Sequence, residues 1–320
     1  MPPTFSTEDT TFDGHPAVRL ATPDGSLVAT FAPRIGMIGC SLEHDGEELL
    51  GQRGGLASYA SKGATMGIPL LYPWANRLAA FEYTARDRHV LLDRESPLLH
   101  IDGQTGLPIH GLLAASPHWE DVSTSADGDG AELSARLDFG AHRDLLAAFP
   151  FPHELRMRIA LDHDGLLIDT SVEATADVEV PVSFGFHPYL RLPGVARAEW
   201  EVDLPVGQRL VLDDKLIPTG ETEPVELPPG PLGDRTFDDG FCDLGEPPVF
   251  ALAGGGRRIE VEFGDGFPFA QVFAPAEQEV ICFEPMTAAT NALASGWLQL
   301  PVARPGDAYD AQFRIRVLRT

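Results

Sequence analysis

The chain has 320 residues, 43% of them hydrophobic, which is enough for a substantial buried core and too apolar for a disordered segment. Lys and Arg number 23 against 48 Asp and Glu, a formal charge of -25 at pH 7; that average field repels polyanions, so the expected partner is a neutral small molecule and not nucleic acid. Cys40, Cys242 and Cys282 show no short C-x-x-C spacing, which argues against a disulfide framework or a thiolate metal site and for reduced thiols in a cytoplasm. The start, MPPTFSTEDTTFDG, lacks the basic and then apolar run of a signal peptide, and no stretch approaches the roughly 20 apolar residues of a membrane span. A cytoplasmic protein without membrane association is the expectation.

In chain order, the first segment with chemical content is Tyr72-Pro73-Trp74-Ala75-Asn76-Arg77-Leu78. This aromatic, proline-rich loop sets an amide beside a guanidinium, the donors a hydroxylated ligand demands, although Arg77 could equally form a surface ion pair. Leu107-Pro108-Ile109-His110-Gly111 follows, where Gly111 permits unusual dihedrals or a close approach directly after a histidine. Leu155, Met157, Ile159 and Leu161 then alternate with Arg156, Arg158 and Ala160, a half-buried strand; Asp162-His163-Asp164-Gly165 turns the chain, and Leu166 to Val172 returns it.

Ser183-Phe184-Gly185-Phe186-His187-Pro188-Tyr189 places Phe184 and Phe186 on one face and Gly185 and His187 on the other. Pro188 bars His187 from the helical region, and Gly185 should leave space beside the imidazole, as proton transfer requires. A lone histidine at a strand end more often only packs or hydrogen-bonds. The Pro/Gly-rich stretch Pro224 to Gly233 reads as a loop within one sandwich. Phe237-Asp238-Asp239-Gly240-Phe241 is an acidic turn between aromatics, a pattern usually just solvated.

A second hairpin runs from Val249 through Gly254-Gly255-Gly256 to Ile259, Val261 and Phe263. Val280 to Thr287 is an apolar strand ending on Glu284 immediately before Pro285. If Glu284 enters a desolvated cleft its pKa rises and it becomes a better base; otherwise it simply reaches water. Phe313, Ile315 and Val317 alternate near the C-terminus. Period-two patterns with turn chemistry between them, and no amphipathic helix of a dozen residues, predict an all-β fold. More than about a dozen strands without repeats predict a large antiparallel β-sandwich, one domain over residues 1–320.

Histidine and cysteine spacings suggest no metal, and the usual nucleotide, phosphoryl-transfer and serine-hydrolase motifs are missing from the sequence. Asn76-Arg77, Ile109-His110-Gly111, Phe186-His187-Pro188-Tyr189 and Phe283-Glu284-Pro285, in this order, resemble the aldose 1-epimerase (galactose mutarotase) family. The motif match spans about two thirds of the chain.

The resemblance implies a supersandwich fold and no cofactor. It also implies Glu284 as base on the anomeric hydroxyl, His187 as acid at the ring oxygen and His110 assisting. Arg77, Asn76 and Asp238 would bind the sugar, with Asp239 taking that last role if the register differs by one. One acid and one base suffice for anomer interconversion, so no redox or transfer motif is needed. Met286 to Ala292 lacks the aromatic and acidic residues of many galactose-acting relatives, which leaves the sugar open. A mutarotase of a phosphorylated or sulfonated hexose, needing extra arginines, is one rival; a non-catalytic carbohydrate-binding protein is another. A monomer or homodimer is expected, and His187 and Glu284 should converge on one cavity.

Overall fold

A computed structural model describes residues 4–320. The strands form three main antiparallel sheets of nine, eight and five strands, together with three two-stranded ribbons. The nine-stranded sheet runs, in spatial order, Glu120–Ala126, Gly130–Asp138, His153–Asp162, Gly165–Ala174, Tyr309–Arg319, Arg257–Phe263, Val249–Gly254, Glu201–Asp203 and Gly230–Pro231. In the eight-stranded sheet the order is Pro218–Pro224, Val206–Leu212, Phe237–Leu244, Phe269–Ala274, Ile281–Met286, Gly185–Phe186 and Leu70–Leu71, with Tyr189–Leu190 also paired to Ile281–Met286. Ser6–Phe12 to Glu47–Glu48 form the five-stranded sheet in sequence order.

The period-two segments behave as their side chains require. Leu155, Met157, Ile159 and Leu161 are buried and lie opposite Val172, Thr170, Ile168 and Leu166. Asp162 pairs with Gly165, so His163-Asp164 form the two-residue turn. Gly254 stays in the second hairpin, opposite Arg257, and Gly255-Gly256 alone make the turn. Phe313 and Ile315 are buried whereas Val317 is only half-buried. Pro224 to Gly233 is not a plain loop: it carries the chain from the edge of the eight-stranded sheet to the edge of the nine-stranded one, where Gly230–Pro231 pairs with Glu201–Asp203. Helices are short, the longest being Gly55–Lys62, which buries Leu56 and Tyr59.

The two large sheets pack face to face. Phe283 of the smaller lies 5.6 Å from Phe250 of the larger, ring centroid to centroid, and Phe186 lies 5.0 Å from Phe313. One hydrophobic cluster takes side chains from all three sheets, including Leu20, Phe31, Val272, Ile259 and Ile315. Within Ile281–Met286, alternation sends Phe283 into this core and Glu284 to the other face, and all six residues are buried. Glu284 is therefore covered as well. Burial of Phe283 and of Val272 beside it contributes about 1.5–3 kcal/mol each, enough to offset holding one carboxyl away from water.

Candidate active site

Three neighbouring strands of the eight-stranded sheet supply the floor. Glu284 lies opposite Gln271, and Asp238 opposite Phe273, so cross-strand pairs bring them onto one face. Gln271 Nε2 donates to Asp238 Oδ1 at 2.8 Å. Asp239, one residue on, points to the opposite face and pairs with Arg209 at 3.5 Å. Asp238 is thus in the cluster and Asp239 is not.

His187 arrives from the strand end beside Glu284. Its backbone N–H donates to the Pro69 carbonyl at 3.2 Å, and its Nε2 lies 3.2 Å from Glu284 Oε1. The imidazole stacks on the Tyr189 ring, centroids 4.3 Å apart, and meets His110 edge-on at 5.6 Å. The expected Phe184/Phe186 and Gly185/His187 alternation is present, with both phenylalanines in the inter-sheet core. The reason for Gly185 is different from the one expected. A Cβ there would meet the Pro285 carbonyl at 2.7 Å and Ala75 Cβ at 3.1 Å, so glycine admits a closely packed strand and loop and does not leave room beside the imidazole.

The two remaining loops form a cover. Tyr72 bridges to Gly111, Trp74 to Ser183 and Arg77 to Ile109, while the His110 N–H donates to the Asn76 carbonyl at 2.9 Å. Gly111, at φ 74°, makes the expected close approach: a Cβ would fall 2.1 Å from the Tyr72 carbonyl oxygen. Arg77 donates from Nε to Asp102 Oδ2 at 2.8 Å and from Nη1 to Asn76 Oδ1 at 3.1 Å, and Nη2 lies 3.5 Å from Asp238 Oδ2. It is an interior clamp, not a surface ion pair.

The segment after Glu284, read as a departure from galactose-acting relatives, proves to be scaffold. Thr287 Oγ1 donates to the Phe184 carbonyl at 3.0 Å, and Asn291 Oδ1 accepts from the Ala79 N–H at 2.9 Å, which ties down the end of the Arg77 loop.

Electrostatics follow from dryness. Burial pushes the Glu284 carboxyl well above the usual range; Asp238 adds to this and Arg77 opposes it. Burial likewise pushes the His187 imidazole well below its usual value, helped by His110 and Arg53. His110 falls to about 3 through burial and the nearby Arg77. At Asp102 burial acts upward but is outweighed by hydrogen bonds from Thr105 and Arg77, leaving it at about 2. Glu284 Oε2, His187 Nδ1 and His110 Nδ1 are buried without a hydrogen-bond partner. Such atoms are costly unless a ligand satisfies them. The side chain of Asp238, about a third exposed at 34%, is the most open member.

A broad depression elsewhere, on the nine-stranded sheet, is lined by Glu132, Arg136, Arg156, Arg158 and Asp169, and none of the clustered residues lines it. Its arginines are engaged by carboxylates such as Glu132 and Glu154. Among the described residues, no group of three or more His, Cys, Asp or Glu side chains is arranged to hold a metal ion, and no helix is long and apolar enough to cross a membrane. Cys40, Cys242 and Cys282 are free thiols.

All six candidate residues, Asn76, Arg77, His110, His187, Asp238 and Glu284, therefore meet in one place. The family model for aldose 1-epimerase matches residues 40–316. This chain belongs to the aldose 1-epimerase family. Solved structures of the same fold include a galactose mutarotase-like protein from Clostridium acetobutylicum, with a TM-score of 0.83, 17% identity and 99% of both chains covered. The galactose 1-epimerase of Lactobacillus acidophilus aligns at TM-score 0.74 and 15% identity over 98% of each chain, and an aldose epimerase homologue from Caenorhabditis elegans at 0.71 and 14% over 99% of each. No curated protein sequence matches the chain.

Several residues that contact the cluster are not marked by the motifs. Asp102, in Asp-Gly-Gln-Thr, reads as an ordinary turn; Gln271 and Asn291 carry no local signal; Arg53 and Thr65 lie in the segments on either side of the helix Gly55–Lys62 and carry no motif. Tyr189 stood within a motif, but its role depends on contacts with those two residues.

Proposed function

We propose that this protein is a mutarotase that interconverts the α and β anomers of a free, neutral aldohexose, with Glu284 as base and His187 as acid. The observation that carries this reading is the direct approach of His187 Nε2 to Glu284 Oε1, 3.2 Å apart and both buried. The anomeric hydroxyl and the ring oxygen are bonded to the same carbon, so an acid and a base acting on them have to be neighbours.

Glu284 takes the C1 hydroxyl proton while His187 protonates the ring oxygen as the bond from C1 to that oxygen breaks, giving the open-chain aldehyde. Rotation about the C1–C2 bond and closure with the proton movements reversed returns the other anomer and restores both side chains. Arg77 and Asp238 bind sugar hydroxyls, Asn76 supports Arg77, and His110, held neutral, hydrogen-bonds the substrate beside His187. Neutral substrate is favoured because the guanidinium groups of Arg77 and Arg53 are already committed, to Asp102, Asp238 and Asn76 in one case and to Tyr189 and Thr65 in the other. A reducing cytoplasm suits the three free thiols.

Polarimetry of freshly dissolved α-D-glucose and α-D-galactose tests the reading. Wild-type protein should speed the approach to equilibrium, and Glu284→Gln or His187→Asn should lower the rate by about a hundredfold or more with the circular dichroism spectrum retained. Unchanged rates in both variants would refute the assignment of the pair. A marked preference for hexose 6-phosphates or sulfonates would refute the neutral substrate.

A further inference from the structure

Two carboxylates of different standing hold the two ends of the Arg77 guanidinium. At the open end Nη2 lies 3.5 Å from Asp238 Oδ2, whose side chain is 34% exposed; at the inner end Nε donates to Asp102 Oδ2 at 2.8 Å, and that side chain is 14% exposed. Asp102 does not depend on Arg77 for its place. Its Oδ2 also accepts from Thr105 Oγ1 at 2.6 Å and from the Thr105 N–H at 3.3 Å, and its Oδ1 accepts from the Gln104 N–H at 3.2 Å. The turn that carries these donors is closed by the Asp102 N–H donating to the Leu107 carbonyl at 2.9 Å and the Gly106 N–H donating to the Asp102 carbonyl at 2.8 Å. It joins His100–Ile101 to Pro108–Ile109, and the second of these strands runs directly into His110. That strand also pins the Arg77 backbone: Arg77 bridges to Ile109, and the Leu78 N–H donates to the Pro108 carbonyl at 2.9 Å.

Building on the mutarotase reading, we propose that Asp102 is the positioning residue for Arg77, setting the guanidinium so that its outer donors meet two sugar hydroxyls. A guanidinium carries five N–H donors in one plane. Asp102 takes the Nε donor, Asn76 takes one on Nη1 and Asp238 approaches one on Nη2, which leaves one N–H on each Nη nitrogen for substrate. Nε is the donor nearest the flexible stem, so a partner there fixes the plane of the whole group. Three of the four hydrogen bonds to the Asp102 carboxylate come from its own turn, and that plane is therefore set before sugar arrives. Binding does not then have to order the arginine. Both carboxylate oxygens are used in this arrangement. An amide in the same place has a single acceptor oxygen, so asparagine can serve the Gln104 N–H or the Arg77 and Thr105 donors, but not both sides.

The test sets Asp102→Asn against Arg77→Ala and the double variant, with two readouts: kcat and KM for mutarotation, and the ¹H–¹⁵N resonance of the Arg77 Nε–H, assigned by its loss in Arg77→Ala. In the sugar-free wild-type protein that proton should be protected from exchange by its carboxylate partner, and Asp102→Asn should shift the resonance or abolish it. The same variant should raise KM about tenfold with a smaller fall in kcat, because a preset pair of donors assists binding more than proton transfer. In the Arg77→Ala background Asp102→Asn should change KM by less than about twofold, since it acts through that side chain, whereas a carboxylate that only stabilised its turn would show its full effect there. Unchanged KM and an unchanged Nε–H resonance in a well-folded Asp102→Asn protein would overturn the proposal, as would fully additive effects. If Asp102→Asn does not fold, Thr105→Val, which withdraws one donor from the same oxygen, is read in its place: a rise in KM that is present with Arg77 and absent without it supports the proposal, and an unchanged KM overturns it. A wild-type protein inert on all aldoses would refute the mutarotase reading, and the Nε–H resonance would then decide alone whether Asp102 sets Arg77.

Discussion

Replacing Glu284 by glutamine should stabilise the protein while removing its activity, and the gain should depend on pH in a defined direction. Glu284 is 1% exposed, and its carboxyl Oε2 has no hydrogen-bond partner, a cost that an amide in the same place would share. Its pKa is raised well above 4.5, mainly by burial. Above the unfolded value and up to the raised folded value, the native state holds a proton that the unfolded chain releases, so wild-type stability falls as pH rises through that window. Below the unfolded value both states are protonated, and glutamine is nearly isosteric with the neutral acid. The variant's advantage should therefore be close to zero near pH 4 and grow toward pH 8. Within that window the linkage is worth up to about 1.4 kcal/mol per pH unit, and an unfolding entropy of about 2.1 cal/mol/K per residue gives roughly 1.5 °C per kcal/mol at this length, hence a gain of up to about 2 °C in Tm per pH unit. Calorimetric scans of both proteins from pH 4 to 8 would measure it. A Tm at pH 8 equal to or below wild type, or a gain larger at pH 4 than at pH 8, would refute the picture of a buried, under-satisfied carboxyl.

Two other expectations concern the same cluster. Because burial moves the Glu284 carboxyl up and the His187 imidazole down, the pair holds one proton over the interval between them, so kcat/KM should fall on the acid side as the imidazole gains a second proton, below the free histidine value, and on the basic side as the carboxyl loses the last one, above the ordinary carboxylate range. The limbs belong to the coupled pair, and an acid limb above the ordinary histidine value, or a basic limb within the ordinary carboxylate range, in initial-rate polarimetry would contradict it. Gly111→Ala places a Cβ 2.1 Å from the Tyr72 carbonyl at φ 74°. It should cost about 3 kcal/mol or more and impair mutarotation through displaced His110, so an unchanged melting curve would count against the cover's tight packing.

The fold was legible where one face of a strand meets the core and the other does not. His153–Asp162 and Gly165–Ala174 declare themselves because Arg156, Arg158 and Asp169 stay outside while Leu155 and Ile168 go in. Pro224 to Gly233 was not legible, because its pairing partner at Glu201–Asp203 is remote and short strands leave no alternation to read. At the site, Glu284 and His187 were marked by the prolines that follow them, and Asn76, Arg77 and His110 by their place in ordered motifs. The choice between Asp238 and Asp239 required the register with Phe269–Ala274, since one residue reverses the face. Arg53 and Thr65 stayed hidden for another reason: their contact with Tyr189 spans 136 and 124 residues of sequence.

The separation in sequence has a physical origin in what a shared proton needs. One sheet face can place Glu284, Gln271 and Asp238 side by side, but a bare sheet face is wet, and in water a carboxylate and an imidazole each keep their ordinary charge. Only the cover supplied by the Arg77 loop and the His110 turn, with Tyr189 and Arg53 at one side, makes the neutral forms competitive. A pair biased toward neutrality holds one proton between two sites, so moving it through the sugar in either direction involves little net charging of the interior. The cover has to come from segments outside the floor strands, because those strands are already paired to one another and packed on their other face against the core.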